Sequence, residues 1–248
     1  PFPLKRLDLG VDELALYGLS IAGAQLGLSP ADPGWLFTLD SSALAGRLRL
    51  PPDYRSRGEQ PLELSVNRAD LEMEGGKEMQ LAPERLPVAD VDLDDIRVNG
   101  TDYGQWSFAA RPADNGILLQ ELEGIWRNTR FNGRLSWLAE NGATRTRFVG
   151  RLTAPRLDAA LSAHGLDPMI ESKDARSVVE LSWPGSPLAF DYRTAQGLAS
   201  LDIGPCRIPE TSRGTSALRV LGILNVSSLS RRLRLDFSDL YKKGLSCE

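Results

Sequence analysis

The feature that most limits this chain is an alternation of apolar and polar residues that loses its phase once and is then written a second time. Leu7, Leu9 and Val11 alternate with polar partners, the phase slips by one at Asp12–Glu13, and Leu14 and Leu16 resume it. At an offset of 82 residues, Val91 and Leu93 alternate, the phase slips at Asp94–Asp95, and Ile96 and Val98 resume. A period of two sends successive side chains to opposite faces of a strand, so each run has one apolar face. A single slip is what a β-bulge produces, because one extra residue returns the apolar set to the same face. The pattern commits the chain to strands that are apolar on one side.

The match continues past the strand. Gly18 maps to Gly100, Pro30 to Pro112, and Asp32-Pro33-Gly34 to Asp114-Asn115-Gly116, while Ala24 meets Trp106 and Leu26 meets Phe108. Each unit reads strand, Gly turn, strand, Gly-bearing turn, strand. After an insertion of five residues Gly46-Arg47-Leu48 resembles Gly133-Arg134-Leu135. Repeats of this kind predict a modular, elongated β architecture in which neighbours stack. The expected units are 1–58 and 86–145, joined by a connecting strand and loop over 59–85 and followed by a β segment over 146–248. Within them Pro51–Arg57 and Gly75–Pro87 read as loops.

The final segment mixes periods. A strand is expected over Thr146–Leu152, then a short helix near 156–164 with Pro155 at its start and His164-Gly165 at its end. Val179, Leu181 and Trp183 alternate up to the turn Pro184-Gly185-Ser186-Pro187. Leu188, Phe190 and Tyr192 are expected to form the returning strand, and Gly197–Arg207 one more. A second helix is expected near 217–226, with Val220, Leu221 and Leu224 on one face. After it Leu233, Leu235 and Phe237 alternate with Arg232, Arg234 and Asp236, as in a one-faced strand. The predicted fold is mainly β: an elongated, curved antiparallel sheet with two short helices.

Several function classes are set aside by residue types. The formal net charge is −4, from 29 basic and 33 acidic residues, whereas a nucleic-acid binder normally carries a basic excess. No run approaches the roughly 20 apolar residues that span a bilayer. The chain begins without Met, which suggests an excised piece, so that any targeting segment would lie upstream. His164 is the one histidine, no serine sits in a nucleophile-elbow pattern, and no cofactor or enzymatic activity is expected. Asp90, Asp92 and Asp94 either share a strand face that holds calcium or form a solvated outer face opposite Val91 and Leu93. Arg231, Arg232 and Arg234 make a basic segment suited either to anionic lipid headgroups or to the wet side of an edge strand. The apolar strand faces themselves have two readings, a closed core between sheets or the lining of an open groove.

The closing residues carry a resemblance. Arg219-Val220-Leu221-Gly222-Ile223-Leu224-Asn225-Val226, then Leu229, then Arg231-Arg232-Leu233-Arg234-Leu235-Asp236-Phe237-Ser238-Asp239 and Gly244 resemble the C-terminal signature of the YhdP branch of the AsmA-like superfamily. Leu181-Ser182-Trp183-Pro184-Gly185-Ser186-Pro187 is similar to that family's LxWxGxP turn. Two positions depart: Gly204-Pro205-Cys206 stands where the family tends to Gly-x-Gly, and Leu245-Ser246-Cys247-Glu248 where it tends to an aromatic and Phe-Asp. Both cysteines occupy departures, which motivates the hypothesis that Cys206 and Cys247 pair.

The resemblance implies a long, taco-shaped β protein of the bacterial periplasm, anchored in the inner membrane outside this fragment, whose hydrophobic groove carries phospholipid toward the outer membrane. Leu7, Leu9, Val11, Leu14, Leu16, Val91, Leu93, Ile96, Val98, Trp106, Phe108, Leu233, Leu235 and Phe237 would then line the groove against acyl chains. The helix bearing Val220, Leu221 and Leu224 would plug its mouth. The rival reading is a structural envelope module with a closed β core that docks envelope proteins.

Overall fold

A computed structural model describes residues 5–16, 19–52, 60–72, 82–168, 170–191, 193–207 and 246–247. The alternating stretches become β1 Leu7–Leu16, β2 Leu19–Pro30, β3 Trp35–Asp40, β4 Leu44–Leu50 and β5 Leu62–Leu71. After a 3-10 turn at Pro83–Arg85 come β6 Ala89–Val98, β7 Thr101–Ala113, β8 Gly116–Trp126, β9 Thr129–Glu140 and β10 Ala143–Ala154. The helix α1 spans Leu157–Ala163, followed by β11 Glu171–Ser172, β12 Ala175–Pro184, β13 Gln196–Ile203, β14 Cys206–Arg207 and β15 Ser246–Cys247. Among the described residues, twelve strands form one long, curved, open sheet in the order β1 to β10, then β12 and β13. The short strands β11, β14 and β15 make a separate small sheet.

Chain neighbours are sheet neighbours because the hairpins are tight. Asn99-Gly100, Arg127-Asn128 and Asn141-Gly142 each place both central residues at positive φ, between 49° and 80°. That is the two-residue turn whose twist matches that of the flanking strands. Arg127 is an unusual occupant of such a turn, and its guanidinium lies over the Trp126 ring, 4.8 Å from the centroid.

β1 and β6 start and end 82 residues apart, and β2 and β7 start 82 apart. The phase slips take a form different from the expected one-sided bulge. The β1–β2 ladder pairs Val11 with Ala24 and Glu13 with Ala22 in one unbroken register and skips Asp12 and Gly23, with Gly23 at φ +60°. Both strands slip together, so Ile21 and Ala24, which stand on either side of the slip, are both buried. In β6 the ladder is irregular between Leu93 and Ile96, opposite Gly104 at φ +72°. A residue at positive φ redirects its own strand's alternation, which keeps the apolar sets of both partners on one face.

Four further details depart from the sequence reading. β5 pairs with β6 in parallel, Leu64 beside Val91 and Val66 beside Leu93, so the sheet is antiparallel with this one exception. Residues 185–191 and 193–195 lie outside the sheet, with a 3-10 turn at Pro187–Ala189, so Leu188 and Phe190 stand outside any strand and β13 is the returning one; Tyr192 lies outside the described residues. α1 begins at Leu157 with Arg156 as its N-cap, two residues later than Pro155 suggests. The strand expected over Thr146–Leu152 is part of a longer one, β10 Ala143–Ala154. The second expected helix, 217–226, lies outside the described residues.

Candidate functional site: an apolar face running the length of the sheet

Following cross-strand partners from ladder to ladder traces one continuous line across the twelve strands. Leu9 pairs with Leu26, Leu26 with Leu39, and Leu39 with Gly46. Gly46 leads to Val66, Leu93 and Trp106. Trp106 then leads to Gly124, Phe131, Leu152, Ser177 and Leu201. At about 4.8 Å per strand this line is roughly 50 Å long, and Ser177 is its only polar side chain. A parallel line runs through Leu7, Leu28, Phe37, Leu48, Leu64, Val91 and Phe108. The opposite face carries exposed charges such as Arg147 and Glu180, paired at 2.6 Å. Exposed pairs of this kind add little stability, but they keep that face wet.

Local chemistry keeps the apolar face smooth. A Cβ on Gly124 would strike the indole of Trp106 directly across the ladder, so glycine there lets the ring lie flat over the backbone. The Trp106 Nε1–H is satisfied by donating to the Tyr103 carbonyl at 2.6 Å.

The cover over this face changes along its length. At the β1–β4 end, Leu9 is 47% exposed and Phe37 38%. Across β6 to β12 the same face becomes a core of Val91, Leu135, Trp137, Phe148, Val179 and Trp183, with Phe148 only 6% exposed. The connection from β5 to β6 supplies part of the cover. Its 3-10 turn lies against β8 and β9, Pro83 is buried there, and Leu86 packs on the core cluster. A parallel join requires the chain to return from one rim of the sheet to the other, and here the return straps the apolar face.

The rim at the β8–β9 hairpin is closed by aromatic contacts and α1. Tyr103 stacks on Trp126 at 6.2 Å between centroids, and His164 meets the Trp126 ring edge-on at 5.2 Å. Ala160 of α1 is buried against Ala154 and Ala175. Burial, helped by the nearby positive charge of Arg127, pushes the His164 pKa below its usual value.

The residues singled out in the sequence fall as follows. Leu7, Leu9, Val11 and Leu14 stand on β1, Val91, Leu93, Ile96 and Val98 on β6, and Trp106 and Phe108 on β7. The side chain of Leu16 lies outside the described residues, as do Val220, Leu221, Leu224, Arg231, Arg232, Leu233, Arg234, Leu235 and Phe237. Asp90 pairs with Arg111 at 2.7 Å, and Asp94 accepts from Asn67 at 3.4 Å. Among the described residues no cluster of His, Cys, Asp and Glu is arranged to hold a metal ion. Cys206 is buried and disulfide-bonded, and the ladder sets it opposite Cys247, the chain's other cysteine. The sequence reading missed Leu64, Val66, Phe131, Leu135 and Phe148 as members of the same face. The alternation of Leu62, Leu64 and Val66 was the available signal for β5.

No solved structure matches the chain. The intermembrane phospholipid transporter YhdP of Escherichia coli K-12 is 30% identical over 108 residues, which are 44% of this chain and 8% of that protein. The chain therefore spans a small part of the length of the relative it matches. The model of the family described as YhdP protein matches residues 1–248, the whole sequence. The chain belongs to the YhdP family.

Proposed function

We propose that this chain is a segment of a periplasm-spanning conduit, anchored in the inner membrane, that carries phospholipid between the inner and outer membranes. Acyl chains lie along the apolar face and headgroups stay at the wet rim. The observation that carries this reading is the apolar face across the sheet, with Ser177 the one polar side chain on its twelve-strand line and with Leu9 and, on the neighbouring line, Phe37 exposed. Moving an acyl chain of about 16 carbons through water costs roughly 12 kcal/mol, at about 0.8 kcal/mol per methylene. A wall as apolar as the bilayer interior removes most of that barrier, and continuity matters because each gap restores part of it. The mechanism needs no bond making or breaking. In this reading 1–58 and 86–145 are repeats of one unit, each adding a length of wall, 59–85 joins them, and 146–248 closes the series.

A second reading is a structural envelope module with a closed core that docks partner proteins, and the covered stretch around Phe148 favours it. Lipid extraction of the purified chain followed by mass spectrometry separates the two. Phospholipid recovered near one per chain, with uptake of a fluorescent phospholipid, supports the conduit. No lipid and no uptake supports the scaffold.

We also propose that the disulfide of Cys206 is made with Cys247, tying β14 to β15. An assay on the unreduced protein is expected to find no reactive thiol, and two reactive thiols would sink the pairing.

A further inference from the structure

Trp137 is a donor without an acceptor. It is 7% exposed, and its Nε1–H is buried with no hydrogen-bond partner among the described residues. The other indoles of this sheet region are satisfied by backbone carbonyls: Trp126 by Asp102 at 2.8 Å and Trp183 by Ser186 at 3.0 Å. On Trp137's own cross-strand line, the Thr146 hydroxyl donates to the Gly185 carbonyl at 2.8 Å. The turn at 185–186 thus serves Thr146 and Trp183 and leaves Trp137 unserved. Stranding a buried N–H costs the desolvation of that group with nothing in return, so such donors are rare and call for an explanation.

The position of Trp137 suggests what the acceptor is. The line Ile117–Trp137–Thr146–Trp183 runs along the apolar face. It lies close to the rim where the Asn115 and Asn141-Gly142 turns begin the polar boundary. Toward the middle of the sheet come Leu135 and Phe148, and toward the rim come polar turns. A glycerophospholipid lying with its chains on the face and its headgroup at the rim has its ester carbonyls at that border. Indoles favour such borders because the ring is apolar and the N–H polar. The buried neighbours are uncharged, which fits a neutral carbonyl rather than a phosphate, whose charge would need a partner there.

We propose that the Trp137 Nε1–H donates a hydrogen bond to an acyl-ester carbonyl of a diacyl glycerophospholipid seated on this face. The proposal rests on the lipid-conduit reading and adds a depth register to it: the ester stops at Trp137, so the headgroup is held at one height along the rim. The N–H is covered in the lipid-free chain, so the ester arrives by parting the side chains over it; the cluster that holds Trp137 is itself packed by Leu86 of the strap.

The test compares two probes, dioleoyl phosphatidylethanolamine and its dialkyl ether analogue, which has the same chains and headgroup but no ester carbonyls. The intact chain is mixed with each, and retained lipid is measured by native mass spectrometry. The Trp137 indole resonance is followed by 15N NMR, assigned through its contacts with Ile117 and Thr146. Retention of the diester is expected to exceed that of the ether roughly fivefold, the worth of one ordinary hydrogen bond. The indole resonance should move with the diester and stay with the ether. Trp137→Phe keeps most of the packing and should erase the preference while still retaining the ether lipid. Equal retention of both lipids, or an indole resonance that moves alike with both, overturns the proposal and leaves the conduit standing. Retention of neither lipid overturns the conduit and this proposal with it. If Trp137→Phe does not fold, the indole resonance of the unaltered chain decides.

Discussion

The stretches β1–β4 and β6–β9 are both four-strand meanders with apolar alternation of the same phase, yet they end in different environments. In the first, Leu9 and Phe37 face solvent. In the second, Val91, Leu135 and Trp137 are buried. Strand pattern does not separate them, since β1 and β6 share their bounds at the 82-residue offset and pair with β2 and β7 through matching registers. What separates them is the connection entering the second meander. The β5–β6 join is parallel and sends Pro83 and Leu86 over β8 and β9, whereas β1 to β4 follow one another as antiparallel neighbours and leave Leu9 and Phe37 exposed, although Ile21 and Ala24 on β2 are buried. Coverage of an apolar wall is thus set by its connections, and a repeated wall can be closed in one copy and open in the next.

The largest effect expected from this contrast comes from one charge placed on each wall. Phe148→Asp buries a carboxylate without a partner and should cost about 4 kcal/mol or more, enough to unfold much of the domain. Leu9→Asp leaves its charge in water and should cost under about 1 kcal/mol. Urea titrations of the two variants measure this directly. Equal destabilisation would erase the distinction between the walls. If the open wall carries lipid, Leu9→Asp should also abolish fluorescent-lipid uptake while the chain stays folded.

A middle-sized effect probes the strap. Leu86→Ala removes part of the cover from the core cluster and should cost about 1–2 kcal/mol, below the full range for a completely buried leucine because Leu86 is only partly buried. The same variant should bind more of an apolar fluorescent dye, as the wall at β8–β9 becomes more like that at β1–β4. Unchanged dye binding would mean that other segments provide the cover.

The sequence made one half of this contrast legible and hid the other. Alternation in Leu7–Leu16 and Ala89–Val98 locates strands and their apolar sides because a strand's period is two and both slips preserve the face. The turn at Gly100 was read too, and Asn141-Gly142 carries the same signal unread: positive φ selects Asn and Gly at both. The cover was not legible. Pro83–Leu86 has no period, and its place over β8 and β9 depends on the parallel join, which alternation does not encode. Leu188 and Phe190 misled for a related reason: apolar residues at every second position satisfy the strand pattern, while Pro187 just before them starts a 3-10 turn. Trp137 was not singled out in the sequence, and what distinguishes it from Leu135, an indole N–H without an acceptor among the described residues, is a property of the assembled rim.

The smallest effect concerns the rim of the covered half, where α1 meets the β8–β9 hairpin. His164 packs edge-on against Trp126, and burial first, then the charge of Arg127, lower its pKa. A histidine whose folded pKa is depressed takes up its proton more readily in the unfolded chain. Its contribution is present above the unfolded value of about 6.5 and is lost as the pH falls through that value toward the folded pKa. The urea midpoint should therefore decline modestly between pH 7.5 and 5.5, on top of any change from carboxylates. His164→Gln should remove that part of the decline, and Arg127→Gln a smaller part, because the charge is the lesser cause. A decline unchanged in His164→Gln would mean the imidazole is solvated at the rim, and that α1 closes the covered wall less tightly than its contact with Trp126 requires.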